Sequence, residues 1–276
     1  MTRRHRLLCL LLAIGASAAL LFPIYWMLMT AVMPTADILS RNPPLLPHFG
    51  TMSFAAFAAV VQRRPFLLWT GNSLLVGVAS ALLSLIAAAL AGYSLSRWWF
   101  RGVRAVGGAL LLGKIAPPSL VIIPLFIMFN NVGLIDTYTG LILANVATGV
   151  PLATWLMKGF FDRIPFEIEQ AAMIDGCTRL GALRHVVLPL VQPGLASCAV
   201  YLMLVSWSEF VFGRTLMTSQ AHRVLTVGLQ GFSGEYQVDW QGLMAAGTLT
   251  LIPIIILFVL LEPWLVSGST RGALAN

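Results

Sequence analysis

Ile164-Pro165-Phe166-Glu167-Ile168-Glu169-Gln170-Ala171-Ala172-Met173-Ile174-Asp175-Gly176-Cys177 is a charged island between two long apolar runs, and its continuation ends at Leu188-Pro189. Proline breaks a helix interior but is accepted at a first turn, so Pro165 opens a helix here. Phe166 to Ile174 are good helix formers. Glu167 and Glu169 fall in the first turns, where the helix dipole favours a carboxylate. Asp175-Gly176 is a stop signal, and Arg179 to Val187 form a second short helix before Pro189. Ala171 and Ala172 leave a small-residue patch that another protein surface can approach closely. The reading is a helix–Gly–helix that projects from a membrane.

The membrane is demanded by composition. The 276 residues are 58% hydrophobic and only 10% charged, with mean hydropathy +0.87, which leaves too little polar surface for a soluble globule. Six apolar stretches are long enough to span a bilayer, at about 7–29, 73–95, 105–129, 139–157, 186–208 and 243–261. Open sheet edges cannot exist in lipid, so these are helices. The fold expected is therefore an all-α membrane protein, a single transmembrane domain over 1–276. The polar loop 162–185 lies between helices 4 and 5.

A formal charge of +7 in a soluble chain would suggest nucleic acid. Here the basic residues sit in short loops, so they orient the chain instead. Eleven lie at the N-terminus, after helix 2, between helices 4 and 5 and in the tail, against five on the opposite side. The positive-inside rule puts both termini and the 162–185 loop in the cytoplasm. Arg3-Arg4-His5-Arg6, an apolar run and Ala16-Ser17-Ala18 imitate a cleavable signal peptide. The apolar run continues unbroken to Met29, however, which marks a retained helix. Cys9, Cys177 and Cys198 are scattered, without metal-ligand spacing.

Glu169-Gln170-Ala171-Ala172, Asp175-Gly176 and Val187-Leu188-Pro189 resemble the EAA loop, E-A-A-x-x-D-G followed later by I-x-L-P. That loop marks the membrane subunits of bacterial ABC importers, and Gln170 stands where the family often has Ala, Lys or Glu. The loop docks into a cleft of the ATPase subunit. The resemblance thus implies docking roles for Glu167, Glu169, Gln170, Ala171, Ala172, Asp175, Gly176, Leu188 and Pro189. The alternative is an amphipathic connector on the membrane surface. Asn72-Ser73 with Tyr93 and Arg97, as N-S…Y-x-x-x-R, is similar to the sugar-permease branch of that family. So are Trp207-Ser208-Glu209-Phe210, beside the family's W-N-E-F, and the ending Gly268 to Ala273, although a Lys near the end is missing.

The resemblance implies a permease subunit of a sugar importer, located in the bacterial cytoplasmic membrane. Its implied partners are a second homologous permease, an ABC ATPase dimer that binds ATP-Mg, and an extracytoplasmic solute-binding protein contacted by the 213–241 segment. The chain itself is expected to bind no cofactor or metal. A polyol phosphate such as glycerol phosphate is the alternative solute. A secondary transporter would need midplane carboxylates, and no span has one.

The remaining candidates lie in or beside the spans. Gly108 to Ile115 satisfies G-x-x-x-x-G-K, but the Ser or Thr for magnesium and a preceding strand are missing, so it is not a P-loop. Lys114 lies ten residues past Arg104, roughly 15 Å into the bilayer. Ala116-Pro117-Pro118 breaks the helix beside it. A broken helix next to a buried charge suits a solute pathway; it equally suits a structural ion pair or a bond to carbonyls freed by the prolines. Asn145 in helix 4 suits a pathway lining or tight packing. Trp207 and Glu209 suit sugar recognition, or an interfacial Trp beside a solvated Glu. His5, His48, His185 and His222 are dispersed, and no catalytic constellation is present.

Overall fold

Backbone N–H and C=O groups in an apolar run have only each other as partners, and among the described residues the apolar runs are helical apart from breaks at Pro117 and Val191. The structure, a computed structural model, describes residues 3–46, 48, 50–98, 102–115, 117–234 and 236–273. Besides a single helical turn at Thr35–Ile38, the helices in chain order are α1 (Arg3–Val32), α2 (Ala55–Arg63), α3 (Phe66–Arg97), α4 (Val103–Ile115), α5 (Pro118–Asn131) and α6 (Tyr138–Phe161). Then come α7 (Phe166–Ile174), α8 (Arg179–Leu190), α9 (Gln192–Trp207), α10 (Val211–Leu216), α11 (Leu225–Gln230) and α12 (Trp240–Ala273). Among the described residues no strand forms, and Ser233 and Val238 make an isolated bridge.

Among the described residues four helices, α1, α3, α6 and α12, are long and apolar enough to cross a membrane; the number is six if α4 with α5, and α8 with α9, each count as one span. The long helices overrun the apolar runs because their ends are set by caps. Phe66 starts α3 directly after Pro65. Thr137 Oγ1 accepts the Gly140 N–H at 3.1 Å to open α6, and Asp239 Oδ1 accepts the Gly242 N–H at 2.9 Å to open α12.

Two expected spans differ. The third is two helices, ending at Ile115 and restarting at Pro118, as the prolines demand. The fifth starts at Gln192, because residues 186–190 belong to α8, and the two axes meet at 77°. Val191, at φ −95 and ψ 11, breaks the helix there, and Pro193 cannot extend it backwards. The side chains of Lys114 and of the Gly268–Ala273 ending lie outside the described residues.

The contacts divide the chain into two compact units, Met1–Leu67 with Gly228–Ile252, and Leu68–Val227 with Pro253–Asn276. In the first, Ser53 N–H donates to the Val32 carbonyl, and the Tyr25 hydroxyl donates to the Leu45 carbonyl at 2.7 Å. The Arg64 guanidinium lies over the Phe232 ring at 5.0 Å. In the second, Val76, Phe129, Leu141, Phe212, Leu216 and Val224 share a buried core. Small residues let its helices close: a methyl on Gly149 of α6 would sit 2.8 Å from Leu202 of α9. The outward faces are apolar, with Leu7, Leu12, Leu20, Leu82, Leu120 and Ile123 all more than half exposed, as lipid contact requires.

Candidate functional site

The 164–177 stretch folds as its residues dictate. Pro165 is extended at ψ 136 and caps α7, with Glu167 and Glu169 in the first turn. After Ile174, Gly176 takes φ +92, and Gly176 and Cys177 N–H close back on the Met173 and Ala172 carbonyls at 3.2 and 3.0 Å. This is a left-handed helix stop that favours glycine. Thr178 Oγ1 then accepts the Gly181 N–H at 3.1 Å and opens α8.

α7 has two chemically distinct faces. Glu167, Gln170, Ala171 and Ile174, at helical spacing, are exposed, and Ile174 is 85% exposed. Leu180, on the first turn of α8, is 70% exposed. Asp175 and Gly176 are exposed with them, while Ala172 is half-buried. Leu188 is half-buried and Pro189 exposed, on the last turn of α8.

Glu169 points the other way. It is only 2% exposed, and its Oε2 accepts from Arg97 Nε at 2.9 Å, with Arg97 itself 7% exposed. Its Oε1 accepts the Tyr93 hydroxyl proton. Arg97 Nη2 also donates to the Ile164 carbonyl at 3.1 Å, and its guanidinium lies 5.8 Å from the Phe166 ring centre. Glu169, one of the residues expected at the docking face, thus has its carboxylate turned inward against α3. Alongside, α3 and α6 approach so closely that a methyl on Gly92 would be 2.9 Å from the Lys158 backbone nitrogen. The Tyr93 and Phe161 rings meet edge to face at 5.6 Å.

The other half of the N-S…Y-x-x-x-R pattern does the same work at the opposite end of α3. Asn72 Nδ2 donates to the Ala221 and Arg223 carbonyls at 2.9 and 2.8 Å, and its Oδ1 accepts from the Tyr138 hydroxyl at 2.8 Å. Ser73 Oγ accepts the Leu225 N–H at 2.8 Å. The spacing of this pattern carries no hint of what it grips, because every partner is distant in sequence.

Of the pathway candidates, Asn145, Trp207 and Glu209 have described side chains. Asn145 is buried on α6 and donates to Ser206 Oγ on α9 at 2.8 Å, which joins two helices. Trp207 is 8% exposed. Glu209 accepts the Phe212 and Gly213 N–H at 2.7 and 2.9 Å, so its carboxylate opens α10. Burial pushes this carboxyl up from its ordinary range, against the opposing pull of the Phe212, Gly213, Val211 and Phe210 N–H groups. A cavity of about 220 Å³ lies between Gly113, Val121, Thr148, Pro151 and Phe212, near the broken third span.

Residues 80–270 match the family described as binding-protein-dependent transport system inner membrane component. The chain belongs to that family. It is 34% identical over 254 residues to the diacetylchitobiose uptake system permease protein DasC of Streptomyces coelicolor, covering 92% of this chain and 91% of that one. It is 33% identical to the inner membrane ABC transporter permease protein YcjP of Escherichia coli, with 91% and 90% covered. To the trehalose/maltose transport system permease protein MalG of Thermococcus litoralis it is 30% identical, with 98% and 96% covered. Its fold is similar to that of a bacterial ABC transporter involved in the import of the acidic polysaccharide alginate. The TM-score is 0.77, at 22% identity, with 95% of this chain and 98% of that one covered.

Proposed function

We propose that this permease supplies half of the translocation pathway of an ATP-driven ABC importer for a sugar or sugar-like solute. The observation that carries this reading is the two-faced α7: Glu169 is held inward by Tyr93 and Arg97, while Glu167, Gln170, Ala171 and Ile174 are left open beside a glycine-made turn. An ATPase subunit binds ATP-Mg and receives this exposed face; the chain itself binds neither. The solute class follows the relatives, which are named for uptake of diacetylchitobiose and transport of trehalose/maltose. A second homologous permease completes the pathway, and an extracytoplasmic solute-binding protein delivers the solute to the 213–241 side. In this reading the chain makes six spans in the bacterial cytoplasmic membrane, with both termini and α7 in the cytoplasm.

ATP binding closes the ATPase pair, each docked loop moves with its ATPase, and the permease halves rock between inward and outward openings. The rocking needs only that docking and solute binding differ in free energy between the two states. Co-purification from native membranes tests the reading: an ATPase and a second permease are expected to come with this chain, and the assembly to take up saccharide only with ATP. Uptake by the isolated chain without ATP would make it a secondary transporter.

A further inference from the structure

α3 carries a buried polar grip at each end, and both grips hold segments far away in sequence. At one end Tyr93 and Arg97 hold Glu169 of α7; at the other Asn72 and Ser73 hold the 221–225 backbone. About 30 Å of helix separates them, at 1.5 Å per residue. Of the four helices long enough to cross a membrane, α3 is the one without an internal proline: α1 has Pro23, α6 has Pro151, and α12 has Pro253 and Pro263. Sharp helix kinks occur mostly at proline, so α3 lacks the commonest cause of one.

The gripped segment is itself a junction. Asp136, between α5 and α6, accepts the Thr218 and Ser219 N–H at 2.9 Å, and His222 Nδ1 lies 3.1 Å from its other oxygen. Tyr138 packs edge to face on His222 at 4.9 Å and hydrogen-bonds Asn72. A displacement of Asn72 along the α3 axis therefore moves the 217–225 segment together with the start of α6.

We propose that α3 is a rod transmitting displacement of the α7–turn–α8 unit to the 217–225 segment. Tyr93 and Arg97 are the positioning residues of one grip, and Asn72 and Ser73 those of the other. A hydrophobic contact in either place would let the partner slide; a buried pair with three directed hydrogen bonds fixes one register, and severing it leaves a charge without compensation. This inference rests on α7 docking an ATPase.

The test uses the assembled transporter in lipid nanodiscs, with Gln220→Cys as reporter and the three native cysteines replaced. Gln220 is exposed within the gripped segment. Its labelling rate by a hydrophilic maleimide is read with and without ATP-Mg and vanadate. The parent is expected to show a nucleotide-dependent rate. Arg97→Met is expected to abolish that dependence, and Tyr93→Phe, which loses one hydrogen bond to a charged group, to reduce it about tenfold. Asn72→Ala is expected to remove it from the other end, with no further loss in the double variant. A merely structural role would lower thermal stability and leave the nucleotide dependence in place. An assembled Arg97→Met or Tyr93→Phe complex with the parent's dependence overturns the rod, as does a transporting parent whose labelling ignores nucleotide. If no ATPase assembles with the parent, the importer reading itself fails.

Discussion

Gly194 of α9 faces the Phe160 ring of α6 at a distance that excludes any side chain: a methyl on its Cα would lie 2.7 Å from Cδ2 and 2.8 Å from Cδ1. Arg163 covers the same ring at 5.5 Å, so the ring is confined. Gly194→Ala is expected to destabilise the protein by about 1–3 kcal/mol through overpacking. Gly159→Ala is the control, because nothing lies within 4 Å of that site and alanine is the better helix former. Thermal unfolding of the solubilised protein separates the two; equal melting temperatures would show that α9 moves aside.

Gly176→Pro and Gly176→Asp test the docking turn. The φ of +92 is one that side chains rarely adopt and that proline cannot reach. Nothing crowds the site, so the cost is confined to the backbone, about 1–2 kcal/mol for a left-handed residue other than glycine. Membrane abundance is expected to stay near the parent's while ATP-driven uptake falls. Full substrate-stimulated ATPase activity in either variant would remove the turn from the coupling role.

The contrast between two carboxylates two residues apart shows how far the sequence could be read. Pro165, the first-turn glutamates and Asp175-Gly176 are local signals, and α7 and its turn form where those signals put them; α8, expected over Arg179 to Val187, instead runs through Pro189 to Leu190. Which glutamate faces the partner depends on α3, which the loop's own sequence does not mention. Glu167, Glu169 and Gln170 were thus equivalent by composition, and only Glu169 meets Arg97. Glu209 shows the same limit: the sequence suggested sugar recognition beside Trp207, and it gave no sign that the carboxylate also accepts the Phe212 and Gly213 N–H groups. The apolar helices were legible because apolar runs have one solution in lipid, while their ends moved wherever a cap, such as Thr137, or a break, such as Val191, outweighed hydropathy.

The two carboxylates make a third prediction. Glu169→Gln leaves the Arg97 charge buried with a neutral partner and is expected to cost about 3–5 kcal/mol, the scale of removing one member of a buried pair. Glu167→Gln lies on the exposed face and is expected to stay within about 0.5 kcal/mol of the parent. Chemical denaturation of both variants in detergent checks this. Equal losses would mean that Glu169 is not anchored by Arg97.

Asp136 gives the pH dependence. Partial burial raises its carboxyl, but the hydrogen bonds from Ser219, His222 and Thr218 outweigh it and hold the pKa at about 2, against an ordinary 3.8. The folded value lies below the unfolded one, so the contribution is complete above 3.8 and is lost as pH falls towards 2. Asp136→Asn is expected to melt below the parent at pH 6, with the difference narrowing as pH falls through that window. Asparagine also tolerates the left-handed φ of 56 at this position, so the comparison isolates the charge. A difference that stays constant from pH 6 to pH 3 would assign the effect to geometry.

Lys114 carries the last prediction, argued from its place in the chain. α4 ends one residue later, at Ile115, and α5 begins at Pro118, so a cation sits where the third span is broken. An ammonium there can donate to sugar hydroxyls, or it can satisfy carbonyls that the prolines leave without a donor. Lys114→Met keeps the side-chain length and removes a charge that is costly at the bilayer centre. If the residue lines the pathway, the variant is at least as abundant as the parent, and uptake per molecule falls. If it is structural, the order reverses: abundance falls because carbonyls lose their donor, and uptake per molecule is unchanged. Membrane abundance and initial uptake rate, measured on the same preparation, decide between them, and normal uptake per molecule takes Lys114 out of the pathway.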